Sequence, residues 1–158
     1  MENNQLNFFH VGITVDNLER AIHFFTSGLN CELKSTRKLS GDYLRQVIGD
    51  ERIHSAEIAL LDFTNGTTLE LVEYDKKIQE DQPNLISVGS YHIAHFVTNM
   101  EECIQNLFAL GCKLLGEEFT KIPSGPYAGN RIVFLATPLN IILELIELDT
   151  STFSKNIR

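Results

Sequence analysis

A chain of 158 residues with 43% hydrophobic and 22% charged residues has the composition of an ordinary soluble globular protein, enough for one compact unit or two small ones. Its formal net charge of -8 repels polyanions, so neither nucleic acid nor an anionic membrane is expected as a partner. No stretch approaches the ~20 apolar residues of a membrane span, and "MENNQLNFF" lacks the basic start and apolar run of a secretory signal, so a cytoplasmic location is expected.

Residues 8–15 alternate, with Val11, Ile13 and Val15 on one side and His10, Gly12 and Thr14 on the other, the period of a strand with one buried face. Asn17 is suited to cap a following helix whose apolar stripe is Leu18, Ile22, Phe25 and Leu29, and Asn30 can end it in left-handed geometry. Two further strands are predicted at about 31–39 and 56–63, and "GTTLELVE" (66–73) supplies a fourth. A polar stretch from 75 to 90, broken by Pro83 and Gly89, reads as a linker.

The pattern then repeats. "HVGITVDNLERAI" lies over "HIAHFVTNMEECI" without a gap, an offset of 82 residues from His10 to His92. Asn99 takes the place of Asn17, and Glu102 completes a capping-box pattern. Met100, Ile104 and Leu107 form the second stripe, which ends at Gly111. Strands follow at about 112–119 and 131–136, and "NIILELIE" (140–147) lies over "GTTLELVE" with an offset of 74 from Glu70 to Glu144. The first half therefore carries a surplus of eight residues, assigned to 35–55. The expectation is an α+β fold of two paired β-α-β-β-β modules whose curled mixed sheets enclose a cleft. It forms a single duplicated domain over 1–158, its halves pairing within one chain or exchanged between two: module one at about 8–74, a linker at 75–90, module two at about 91–148, and a tail at 149–158.

His10, Glu70, His92 and Glu144 all oppose or interrupt apolar positions on the first and last strands of their halves. Each one alone is the kind of residue that hydrogen-bonds in a strand or faces water. Their recurrence at equivalent places in both halves favours a joint role, because two imidazoles and two carboxylates suit a six-coordinate divalent metal with two open positions.

These residues resemble the vicinal oxygen chelate superfamily, which includes glyoxalase I, methylmalonyl-CoA epimerase, extradiol dioxygenases and bleomycin-resistance proteins. The resemblance runs over about 8–148 and rests on "HVGITVDNLERAIHFF", "LELVEY", "HIAHFV" and "TPLNIILELIEL". It implies that His10, Glu70, His92 and Glu144 are metal ligands and that the cofactor is one divalent ion (Co, Ni, Mn, Zn or Fe). It also implies a homodimer, a small carbonyl or thioester substrate, and isomerase or lyase chemistry of the glyoxalase I or methylmalonyl-CoA epimerase type. In that chemistry a proton leaves the carbon beside a carbonyl while the metal stabilises an enolate or enediolate. Glu144 is then the first candidate for the base and Glu70 the second. Asn30 and "TPLN" (137–140) depart from the family's usual turns, at positions Asn can fill. The alternatives are an iron(II) extradiol-type dioxygenase using His10, His92 and Glu144, and a binding protein that sequesters a drug or metabolite.

Other residues carry less. Cys31, Cys103 and Cys112 are odd in number, lack a Cys-x-x-Cys spacing and read as reduced, packed thiols. His95 is expected to face the helix, and His23 water, while His54 and Glu57 could approach the cleft as further acid–base groups. Lys34, Arg37, Lys38, Arg45 and Arg52, with Lys121 and Arg131, could receive the anionic part of a carrier, or form a mixed charged surface with the intervening acids. The loop "KIPSGPYAGNR" (121–131) could be a lid or a plain connection.

Overall fold

The computed structural model describes residues 7–78, 84–116 and 119–148. The chain divides into two compact units, Met1–Gln79 and Glu80–Arg158. Residues 79–83 of the expected linker and the tail at 149–158 lie outside the described residues.

In the first unit β1 (His10–Thr14) leads to α1 (Leu18–Leu29), then β2 (Glu32–Ser40), α2 (Asp42–Ile48), β3 (Ser55–Asp62) and β4 (Thr68–Tyr74). The strands form an open mixed sheet in the order β1-β4-β3-β2, with β1 and β4 parallel and the other pairs antiparallel. Helix α1 starts where the Asn17 side chain accepts the Arg20 N–H and ends at Asn30, whose φ of 55° is left-handed, as its turn role requires. Leu18, Ala21, Phe24 and Phe25 form its buried side, over a sheet face that includes Ala59, Leu61, Leu69 and Leu71. The stripe is thus rotated from the expected one: Ile22 and Leu29 are half-buried, and two adjacent phenylalanines and an alanine fill the contact. Val11, expected on the buried side, is 46% exposed, because β1 is an edge strand.

The surplus residues of this half hold helix α2, which the alternation of apolar residues did not announce. It is flanked by Gly41 and Gly49 at φ of 94° and 77°. Its Leu44 packs with Ile53, Ala56, Ile58 and Val72, and Leu39 and Tyr74 adjoin the cluster. Register puts Ile58 opposite Val72 and Ala56 opposite Tyr74, on the sheet face turned away from α1. One end of that face is therefore covered by apolar packing, and burying Leu44 alone contributes about 1.5–3 kcal/mol.

The second unit runs β5 (His92–Val97), α3 (Met100–Ala109), β6 (Lys113–Leu114), β7 (Thr120–Lys121), β8 (Arg131–Ala136) and β9 (Ile142–Glu147). Its sheet order is β5-β9-β8-β6, with β7 also on β8, and β5 and β9 are parallel. Of the strand expected at 112–119, the described residues show the two-residue β6, residues 117 and 118 lying outside them, and β7 pairs farther along β8. Asn99 caps α3 by accepting the Glu102 N–H at 3.1 Å. The box closes through Asn99 Nδ2 donating to Glu102 Oε2 at 3.1 Å, not through the Asn99 backbone. Met100, Ile104 and Leu107 are buried as expected, and Gly111 follows at φ 90°. Asn140 turns the β8–β9 hairpin at φ 61°, where Thr137 Oγ1 accepts the Ile141 N–H.

The two units thus share one plan, a βαβββ chain interrupted by α2 in the first and with β6 and β7 together in the place of one strand in the second, and a mixed open sheet whose first and last strands are parallel neighbours.

Candidate metal half-sites on the parallel strand pairs

Parallel pairing of β1 with β4 places Gly12 opposite Glu70. His10, two residues earlier, shares that face, because side chains repeat every second residue. His10 Nε2 and Glu70 Oε1 are 3.6 Å apart, with both side chains largely shielded at 28% and 16% exposure. In β5 and β9 the register is the same, with Ala94 opposite Glu144 and His92 two residues earlier. His92 Nε2 and Glu144 Oε2 are 2.8 Å apart. The structure therefore brings together each histidine with the glutamate of its own half, through the same imidazole nitrogen and one carboxylate oxygen. Among the described residues no group of three or more potential ligands stands together.

The donor chemistry fits a divalent ion. Two cis ligands at about 2.1 Å from an octahedral ion lie about 3 Å apart, and the two spacings, 3.6 and 2.8 Å, bracket that value. In the first pair the separation is too long for a hydrogen bond, so the groups face each other without satisfying one another. His10 Nδ1 is buried and accepts or donates no hydrogen bond among the described residues.

The surroundings of the two pairs differ. In the first unit the Phe9 ring meets His10 edge-on at 4.5 Å, and Arg37 Nη2 lies 3.7 Å from Glu70 Oε2. Burial, with the nearby Glu70 charge, pushes the Tyr74 phenol above its usual range. In the second unit Phe134 is the cross-strand partner of Glu144, and its ring stands perpendicular to His92 at 5.5 Å. On the same face, Phe96 carries the Tyr127 ring at 5.2 Å.

Tyr127 comes from the 121–131 segment, which is a hairpin: the Ile122 N–H donates to the Asn130 carbonyl, and the Gly129 N–H donates to the Ile122 carbonyl.

Other expected groups lie elsewhere. His54 pairs with Asp75 at 3.6 Å, five residues beyond Glu70 on the chain and hence about 16 Å along the strand direction. Glu57 is opposite Glu73, on the α1 side of the sheet, and bonds Lys38 at 2.8 Å. Neither can serve Glu70 or His10, because the one is too far and the other faces the wrong way. His95 is opposite Leu145, which is fully buried, so it faces the helix as expected, and burial lowers its pKa. His23 is exposed on α1 beside Ser27. Cys31 and Cys112 are buried and Cys103 half-buried, all as free thiols, and burial pushes the first two up to about 12.

The cations of the basic segment mostly have local partners: Lys34 with Glu32, Lys38 with Glu57, Arg45 with Asp42, and Arg52 with Asp50. Arg131 is held at Nε and Nη2 by Glu147 and also bonds Glu101, with its guanidinium 5.1 Å from the Phe119 ring centre. A mixed charged surface describes these residues, and Arg131 is not available to a carrier's anion.

Two functional supports escaped the sequence reading. Glu73 Oε2 accepts the Leu18 N–H at 2.7 Å, and Glu147 Oε1 accepts the Met100 N–H at 2.9 Å. Each last strand thus ties down the first N–H of its helix, backed by Lys77 in one half and Arg131 in the other. These anchors set the helices against the strands that carry the histidines and glutamates. The signal was present: the second glutamate of "LELVE" and of "LELIE" recurs at the same offset as the first.

Comparison with known proteins places the fold. A 2-epi-5-epi-valiolone epimerase from Actinomyces sp. is 36% identical over 143 residues, covering 88% of this chain and 78% of the relative. Among solved structures, a glyoxalase family protein from Bacillus cereus superposes with a TM-score of 0.77 at 23% identity, covering 93% of this chain and 97% of that one. The fosfomycin resistance protein FosX from Listeria monocytogenes, crystallised with Mn(II) and sulfate, gives 0.57 at 18% identity, covering 92% and 94%. Residues 9–134 match the Glyoxalase/Bleomycin resistance protein/Dioxygenase superfamily, and with the duplicated βαβββ fold and the epimerase relative they establish that this chain belongs to it.

Proposed function

We propose that the protein is a metal-dependent isomerase of the vicinal oxygen chelate type, an epimerase that moves a proton on the carbon beside a carbonyl. The observation that carries this reading is the duplication of one donor pair, histidine Nε2 with glutamate Oε, at the same register position on two parallel strand pairs. The relative's name favours epimerisation over the lyase reaction of glyoxalase I.

In this proposal the two units act as one duplicated domain, and His10, Glu70, His92 and Glu144 together hold one divalent ion, Co, Ni, Mn, Zn or Fe. When bound, the ion supplies Lewis-acid stabilisation of negative charge on the substrate's carbonyl oxygen. The chain supplies the proton transfers. Glu144 collects the proton from the carbon, because a carboxylate can release a ligand position more readily than an imidazole. Glu70, protonated and released from the ion for this step, gives its proton to the opposite face, and the proton held by Glu144 passes back to Glu70 through water, which inverts the centre with no net change in atoms. General acid–base catalysis of this kind is worth about 10²–10⁴-fold. Phe134 and the Phe96–Tyr127 pair give the second unit's face an apolar wall against which a carbon skeleton can lie.

The test is solvent-deuterium incorporation into α-hydroxy ketones, both neutral ones such as 2-epi-5-epi-valiolone and ones bearing a phosphate or carboxylate, by the Mn(II)-loaded protein. Glu144→Gln is expected to keep the thermal melt of the parent and lose exchange by at least about 10²-fold. Exchange at the parental rate removes Glu144 from the role.

A further inference from the structure

Of the five cations in segment 34–52, four are engaged with carboxylates at hydrogen-bonding distance: Lys34, Lys38, Arg45 and Arg52. Arg37 differs. Among the described residues its carboxylate partner is Glu70, whose Oε2 is 3.7 Å away, beyond hydrogen-bond reach, and the Arg37 side chain is 56% exposed. Its direction differs too. Lys38 is opposite Glu57, on the α1 side of the sheet, whereas Arg37 is opposite Ile58, which in turn is opposite Val72. Cross-strand partners share a face, so Arg37 stands on the same side as His10 and Glu70.

Between Arg37 and the His10–Glu70 pair the sheet offers Ile58, Leu60 and Val72, whose side chains cannot accept a hydrogen bond. The guanidinium fork therefore faces the half-site, 3.7 Å from Glu70 Oε2, with donors that the described residues do not engage at hydrogen-bonding distance. A planar fork of this kind matches the paired oxygens of a phosphate or carboxylate, and the contact is charge-assisted. The overall charge of -8 makes such a local cation more consequential, because an anionic substrate would otherwise meet a repelling surface.

We propose that Arg37 is a specificity-determining residue that binds an anionic oxyanion group, phosphate or carboxylate, carried by the carbonyl substrate. This rests on the metal-site reading above and adds the substrate's charge to it. Ile58 and Val72 are covered by the α2 cluster, so the half-buried Leu60, cross-strand partner of Glu70, is the apolar surface left for the carbon atoms between the anionic group and the reacting centre. Arg37 lies opposite Ile58, which lies opposite Val72; the corresponding place in the second unit, opposite Ile132 and in line with Ile146, holds Thr120 and not a cation, so the anion is bound on the first unit's side.

The probe is inorganic phosphate, added to the full chain loaded with Mn(II) and followed by paramagnetic broadening of its phosphorus resonance. Mn(II) affinity is measured separately by electron paramagnetic resonance. Arg37→Gln is expected to bind Mn(II) as the parent does and to weaken phosphate about 10- to 100-fold. Arg37→Lys, which keeps the charge without the fork, restores part of the loss, while Arg52→Gln leaves phosphate binding unchanged. Far-UV circular dichroism melts check that each variant is folded. Parental phosphate affinity in an Arg37→Gln protein that still binds Mn(II) overturns the inference and leaves the metal reading standing. A parent that binds Mn(II) but no phosphate also overturns it, and a parent that binds no Mn(II) overturns both.

Discussion

Gly12 sits in a strand interior without a positive φ, so its backbone does not call for glycine. Glycine there costs about 0.5–1 kcal/mol relative to alanine. What it provides is space: a Cβ built on Gly12 would lie 3.7 Å from Glu70 Oε1, with no other contact within 4 Å. Alanine would therefore fit at ordinary contact distance. Valine adds two methyls about 1.5 Å beyond Cβ, and its stiff χ1 limits how far both can turn away from the carboxylate. Glu70 would have to shift by up to about 1 Å, a misplacement that costs on the order of 10²-fold where geometry matters. The backbone consequence has the opposite sign, because valine suits a strand and restricts the unfolded chain, by about 0.5–1 kcal/mol. Gly12→Val is thus expected to melt at or above the parent in EDTA while binding Mn(II) at least tenfold more weakly, and Gly12→Ala to keep its affinity within about twofold. Calorimetry gives the first quantity and electron paramagnetic resonance titration the second. Gly12→Val protein that binds Mn(II) as tightly as the parent would refute the idea that this glycine keeps the space before Glu70 clear for a ligand.

The helix anchor of the second unit gives a stability prediction. Glu147→Ala removes the acceptor of the Met100 N–H and a bidentate partner of Arg131, and should cost about 1–3 kcal/mol by denaturant unfolding. Arg131 hydrogen bonds hold the Glu147 carboxyl below its ordinary value of 4.5, so its stabilisation is present above that pH and is lost as pH falls through the folded-state value. The parent's unfolding free energy should therefore drop more steeply below pH 4.5 than that of the Glu147→Ala variant. Cys31 and Cys112, buried and with pKa values pushed up to about 12, should resist a thiol reagent at pH 8 until the protein is unfolded, and rapid labelling of either in the folded state would contradict the packing.

Much of this architecture was legible because the chain states it twice. The caps Asn17 and Asn99, the left-handed Asn30 and Asn140, and the parity of His10, Glu70, His92 and Glu144 all follow from local rules. The rest depends on non-local packing. Helix α2 has seven residues, too short for a periodic stripe, and is held by Leu44 inside a cluster drawn from β3 and β4. Val11 keeps an apolar identity at an exposed edge, which alternation alone reads as burial. Glu57 could be read as a cleft residue until cross-strand register fixed it, opposite Lys38 and Glu73, on the α1 face. Glu73 and Glu147 repeat as faithfully as Glu70 and Glu144, yet their partners, the first N–H groups of the helices, are backbone atoms that no residue type marks.

The most direct test of the central claim is the metal stoichiometry of the full chain, by equilibrium dialysis with Mn(II) or Co(II), for the parent and for His10→Ala and His92→Ala separately. The account predicts one ion per chain in the parent and near-complete loss in either single variant, since each histidine supplies one ligand to the same ion. Two ions per chain, or a variant of one half that still binds a full equivalent, would contradict it.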